Sequence, residues 1–165
     1  FIRPKNETPV EIQLPKMIKI CEKNDMMMKE HNTDYLTNES LSWHPKIGIH
    51  AANVAPEFGV IETKAIITLM KKLKLNRLVN EFLEISYNSL KWEKWMLKNS
   101  KATKVEKSII SGHYIFSKPE VKVILNKLNL ECNKKLMINS NRFIKDEIRK
   151  SILRYLTNFN MLRLK

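Results

Sequence analysis

Apolar and polar positions alternate along this chain with two different rhythms. From Glu11 to Lys23, Leu14, Met17, Ile18 and Cys21 fall at i, i+3, i+4 and i+7 and predict one face of a helix. Asn24-Asp25 interrupts it, and Met26-Met27-Met28 follows, a short apolar run of the kind a buried parallel strand uses. The run ends in Lys29-Glu30-His31 and a polar loop, HNTDYLTN. A short helix is predicted from Asn38 to Trp43, with Thr37 as its cap and Pro45 closing it. Ile47 to Val54 predicts a second buried strand. Ala55-Pro56-Glu57 then turns the chain, with Pro56 suited to a first helical position. Ile61, Ala65, Leu69 and Leu73 step by four along the helix beyond. Helix, strand, loop, short helix, strand, helix is an alternation that implies parallel strands joined by crossover helices.

After about Leu75 the rhythm is helical throughout. Amphipathic helices are predicted near 76–98, 103–111, 119–130 and 142–157. Their stripes are Leu78, Phe82, Ile85 and Leu90 in the first, Val121, Ile124, Leu125 and Leu128 in the third, and Ile144, Ile148, Ile152 and Tyr155 in the last. Stripes of this kind are core, and the Trp92 and Trp95 pair reads most simply as packing. The boundary divides the chain into residues 1–75 and 76–165.

Composition narrows the picture. The chain has 165 residues and begins with Phe1, which is read as a fragment truncated at its N-terminus. A complete eight-fold barrel needs about 250 residues, so only part of one fits here. No apolar run approaches the ~20 residues of a membrane span, and no membrane partner is expected. Cys21 and Cys132 match no CxxC or zinc spacing; they read as free thiols in a reducing, cytoplasmic setting.

Net charge is +13, unevenly placed. Residues 1–60 hold 7 Lys and Arg against 8 Asp and Glu, whereas residues 61–165 hold 23 against 9. A basic half raises the possibility of a nucleic-acid-binding helical module. The excess is mostly Lys, 24 against 6 Arg, in a chain rich in Asn and Ile, as AT-rich coding produces. Nucleic-acid readout leans on Arg forks and stacked aromatics, so the composition argues against a nucleic-acid partner. Against this Lys-rich background, no Lys or Arg falls between Lys46 and Lys64.

In parallel α/β folds chemistry sits at the carboxyl ends of strands. The first predicted strand delivers His31, Asn32, Thr33 and Asp34, and the second delivers His50, Asn53 and Glu57. A neutral imidazole at a strand end can bind a divalent metal, zinc among them, and a nearby carboxylate can complete that shell. Asn53 can donate to a substrate oxygen. The amides of Glu57, Phe58 and Gly59, opening a helix, can hold an anion such as phosphate. Each has a plainer reading: His31 as hydrogen-bonded structure, His50 as a strand residue facing a helix layer, and Asp34 as a turn cap. Glu57 is a favourable charge against the helix dipole, and it argues against phosphate beside it.

KEHNTDYLTNESL, followed by GIHAANVAPEFGVIETKAIITL, resembles the accessory, non-catalytic subunit family of class II D-tagatose-1,6-bisphosphate aldolase. The residues that carry the likeness are His31-Asn32-Thr33-Asp34-Tyr35 and the Val54-Ala55-Pro56 turn. It is closest over roughly residues 25–75 and extends more loosely through HYIFSKPEVKVILNKLN and IKDEIRKSILRYL. The family is similar to zinc-dependent (β/α)8 aldolases. The resemblance therefore implies the C-terminal part of a TIM barrel over residues 1–75 and a mainly helical extension over 76–165. It also implies a metal at His31, catalytic roles for Asp34 and Glu57, and substrate contacts from Asn53, His50, Phe58 and Gly59. Two departures stand out: the glycines that follow the metal-binding His in the aldolases are absent, and Pro56 replaces a Thr. The remaining metal ligands would lie on earlier strands outside this chain. The expected role is support of a catalytic aldolase subunit acting on a ketose bisphosphate, with a second copy of this chain as the other partner considered. A self-sufficient metal-dependent sugar-phosphate aldolase or epimerase is the alternative.

Overall fold

The computed structural model describes residues 10–162. They form two compact units, one of residues 10–55 with 154–162 and one of residues 56–153.

In the first unit α1 (Val10–Lys23) ends at Asn24-Asp25, where Asp25 takes a left-handed conformation. Two short strands, β1 (Lys29–Glu30) and β2 (Ala51–Ala52), pair in parallel with Lys29 opposite Ala51 and Glu30 opposite Ala52. Between them lies α2 (Asn38–Lys46). Thr37 caps α2 through its hydroxyl, which accepts from the Ser40 amide at 3.1 Å and so satisfies one of the free donors of the first turn. Leu41 and His44 are its buried residues. The end of the last helix contributes Tyr155, whose hydroxyl donates to the Thr33 carbonyl at 3.2 Å. Arg154 donates to the Leu36 carbonyl and the Asn38 side chain.

The second unit opens with α3 (Pro56–Lys72), and Pro56 occupies the first helical position, where its missing N–H costs nothing. Then come α4 (Asn76–Asn88), a 3-10 turn (Glu93–Trp95), α5 (Lys104–Ser111) and a second 3-10 turn (Gly112–Ile115). α6 (Pro119–Leu136) and α7 (Ser140–Asn158) complete the order. Ala65, Leu69 and Leu73 of the four-residue stripe are buried, and they share one core with Phe82, Val121, Ile124 and Leu128. α6 stops at Met137, which takes the left-handed C-terminal conformation. Gly112 is needed for close approach: a Cβ there would lie 2.4 Å from Thr63 Cγ2.

The expected barrel quarter is not what forms. The structure is 68% helical, and its only strands among the described residues are two parallel pairs of residues. The two apolar runs explain the difference. Met26 and Met27 are 52% and 83% exposed, so only Met28 of that run is buried. The other run is divided: Ile47 caps α2, Gly48 turns with φ +87°, and only Ala51–Ala52 pair as a strand. An apolar run by itself does not distinguish a buried strand from a helix end that packs through its last residues. The chain is therefore mainly helical, not part of a TIM barrel.

Candidate functional site

The strand pair brings some of the expected residues together. The Asn53 amide donates to the Glu30 carbonyl at 3.1 Å, and the Thr33 amide donates to the Asn53 carbonyl at 2.9 Å. These bonds continue the pairing beyond the carboxyl ends of both strands. At that edge the Asn53 side-chain amide lies 3.3 Å from His31 Nδ1. This contact ties the Asn53 carboxamide to the His31 ring. Asp34 reaches the same edge, where its Oδ1 accepts from the Ala55 amide at 3.1 Å. The loop that carries them is tightly wound: Asn32 and Tyr35 both have φ +62°. Left-handed conformations at non-glycine residues are held by surrounding structure, here by the Thr33, Asp34 and Tyr155 bonds. Thr33 is completely buried, and its hydroxyl has no hydrogen-bond partner among the described residues.

His50 lies at the other end of the pair. Its backbone amide donates to the Met28 carbonyl at 2.9 Å, and its Nδ1 accepts from the Met28 amide at 3.2 Å. It is thus separated from His31, Asn53 and Asp34 by the length of β2. His50 lines a cavity of about 500 Å³ with His44, Pro45, Ala52, Phe159 and Met161. Beside it His44 is buried, with Nδ1 donating to the Ser40 carbonyl at 2.9 Å and Nε2 in short contact with the Glu30 carboxylate. Both nitrogens of His44 are engaged, so the His44–Glu30 pair braces α2 against β1.

Glu57, Phe58 and Gly59 all fall in the first turn of α3, within the second unit. Glu57 is buried. Gly59 is a packing position: a Cβ there would lie 2.5 Å from His113 Cγ. His113 is half-buried, and its enclosed Nδ1 has no hydrogen-bond partner among the described residues. Burial, and then the nearby Lys94 ammonium, hold its pKa below the usual histidine value.

Among the described residues no group of three or more His, Cys, Asp or Glu is placed to hold an ion. The edge offers a different chemistry: an imidazole and a carboxamide side by side, with a carboxylate fixed by a backbone amide. Such groups hydrogen-bond hydroxyls or backbone groups of whatever lies against them. His44, Glu30 and Tyr155 were not legible as participants, because their partners lie 14 to 122 residues away. Among the described residues no helix is long and apolar enough to cross a membrane.

No family model matches the chain, and no curated protein or solved structure matches it.

Proposed function

We propose that the chain acts in carbohydrate metabolism as a non-catalytic subunit that supports a class II D-tagatose-1,6-bisphosphate aldolase. The observation that carries this reading is the meeting of His31, Asn53 and Asp34 at the carboxyl edge of the parallel pair. His31 and Asp34 belong to the first motif on which the resemblance rests, and Asn53 directly precedes the Val54-Ala55-Pro56 turn that forms the second. Support for an accessory role over a catalytic one comes from how they are used. His31 Nδ1 is taken by Asn53, and an Asp34 oxygen by a backbone amide. Groups committed in this way fix the shape of a loop, and a fixed loop edge is what a partner subunit binds with little ordering cost.

Adding the full chain to the catalytic subunit tests this. Cleavage of D-tagatose 1,6-bisphosphate to the two triose phosphates is followed together with the thermal midpoint of the catalytic subunit. The expected result is a rise in both, since a partner that binds only the folded state stabilises it by about 2.7 kcal/mol at a hundred times its Kd. His31→Ala should leave turnover of the complex near its original value. No change in either quantity at saturating chain would overturn the reading. Cleavage by the chain alone, abolished by His31→Ala together with bound metal, would favour the self-sufficient enzyme.

A further inference from the structure

A cavity of about 260 Å³ lies within the second unit, lined by residues of α3, α6 and α7. Ile66 of α3, Leu125 and Leu128 of α6, and Ile144 and Ile148 of α7 form its apolar wall. Leu125 and Leu128 fall at i, i+3 and Ile144 and Ile148 at i, i+4, so each pair stands on one helix face. Ile66, Leu128 and Ile144 are buried and belong to the core, which fixes the wall in place. Two charged side chains line the same space. Glu62 stands one turn before Ile66 on α3, and Lys145 follows Ile144 on α7. Glu62 is half-buried, whereas Lys145 is exposed and marks the open side. Neither forms an ion pair among the described residues, so the two lie too far apart to bridge each other. Burial raises the Glu62 carboxyl above the usual carboxylate range.

A carboxylate set among apolar side chains loses hydration and is compensated only by a cation or a hydrogen-bond donor. Packing supplies Glu62 with neither among the described residues. Ser140, on the same cavity, is already engaged: its hydroxyl donates to Asn129 Oδ1 at 2.9 Å. One carboxylate and one ammonium are therefore the charged groups that the cavity offers to a ligand. At about 260 Å³ it is smaller than the ~300–1,000 Å³ of pockets for drug-sized molecules. Its complement is a small molecule that carries an ammonium, a carboxylate and a short apolar group. An acid lacking the ammonium would meet Glu62 with like charge, and an amine lacking the carboxylate would meet Lys145 in the same way.

We propose that this cavity binds a free aliphatic amino acid, with its ammonium at Glu62, its carboxylate at Lys145 and its side chain against Ile66, Leu128 and Ile144. The proposal stands apart from the accessory reading, which concerns the first unit. Titration calorimetry of the full chain with L-leucine tests it, alongside three molecules that each lack one group: 4-methylpentanoate without the ammonium, 3-methylbutylamine without the carboxylate, and glycine without the side chain. Leucine should bind saturably, and each of the three at least about tenfold more weakly, since a hydrogen bond to a charged group contributes roughly 1.5–3 kcal/mol and full burial of a Leu side chain about as much. Glu62→Gln should weaken leucine about tenfold or more and narrow its advantage over 4-methylpentanoate. Lys145→Gln should do the same relative to 3-methylbutylamine. Circular dichroism of both variants should match the original, as neither side chain has an ion pair to lose among the described residues. No saturable heat with leucine up to about 10 mM, ten times a Kd of ~1 mM, would overturn the proposal. So would leucine binding that both folded variants retain in full, or equally tight binding of 4-methylpentanoate or 3-methylbutylamine to the original chain.

Discussion

His113 packs its ring into the space that Gly59 leaves by having no side chain, and it pays no part of that burial back in hydrogen bonds at Nδ1. Protonation would place a cation beside the Lys94 ammonium with no acceptor at the enclosed nitrogen. The folded state therefore holds His113 neutral, and the unfolded chain binds the proton more readily. Stability from this site is present above the ordinary histidine pKa of about 6.5 and is lost as pH falls through it. Glu62 works in the opposite sense and lower on the scale. Burial raises its pKa, so it favours folding when protonated and loses that contribution as pH rises through its folded pKa. Urea midpoints of the original chain should thus fall as pH is lowered from about 7.5 to about 5.5. His113→Leu should fall distinctly less. Equal slopes in the two proteins would show that His113 does not report on this packing.

At the scale of elements, α5 depends on its entry. Thr103 and Glu106 form a reciprocal capping box: the Thr103 hydroxyl accepts from the Glu106 amide at 3.2 Å, and the Glu106 carboxylate accepts from the Thr103 amide at 2.7 Å. The bond from the Thr103 amide, and then that from its hydroxyl, keeps the Glu106 carboxyl below the usual carboxylate range. Thr103→Ala should cost about 1 kcal/mol in denaturant unfolding, and Thr103→Ser should recover most of it. A loss in Ser as large as in Ala would point away from the hydroxyl. Signals of this local kind are also what the sequence disclosed. Thr37 as a cap, Pro56 as a first helical residue and the four-residue stripe of α3 are each readable within one or two turns. The predicted helix over 76–98 was overextended, because the chain leaves α4 at Asn88 and Leu90 takes φ +56°. The barrel strands failed for a related reason: nothing in an apolar run shows that Gly48 will turn the chain within it. The grouping of His31, Asn53 and Asp34 was partly legible from their places at two strand ends. The separation of His50 was not, since it follows from where pairing begins at Met28. Gly59 facing His113 joins positions 54 residues apart with no local mark at either one.

At the scale of the whole molecule, the second unit holds an extended apolar core, and α6 runs through it with Val121, Ile124, Leu128 and Cys132 all essentially inaccessible. Ile124→Ala should cost about 2–5 kcal/mol, the range for opening a cavity in a packed core. The two free thiols give a way to follow this. Cys21 is half-exposed on α1, whereas Cys132 is fully buried and its thiol is pushed up in pKa by burial and then by Glu131. A thiol alkylates only as the accessible thiolate. Under native conditions an alkylating reagent should therefore modify Cys21 at once and Cys132 only at the rate at which the core opens. Ile124→Ala should shorten that delay many-fold while leaving the Cys21 rate unchanged; simultaneous labelling of both cysteines in the original chain would contradict the packing around α6. Cys132 is in this sense a built-in clock for the second unit, timing each opening of its core without any added probe.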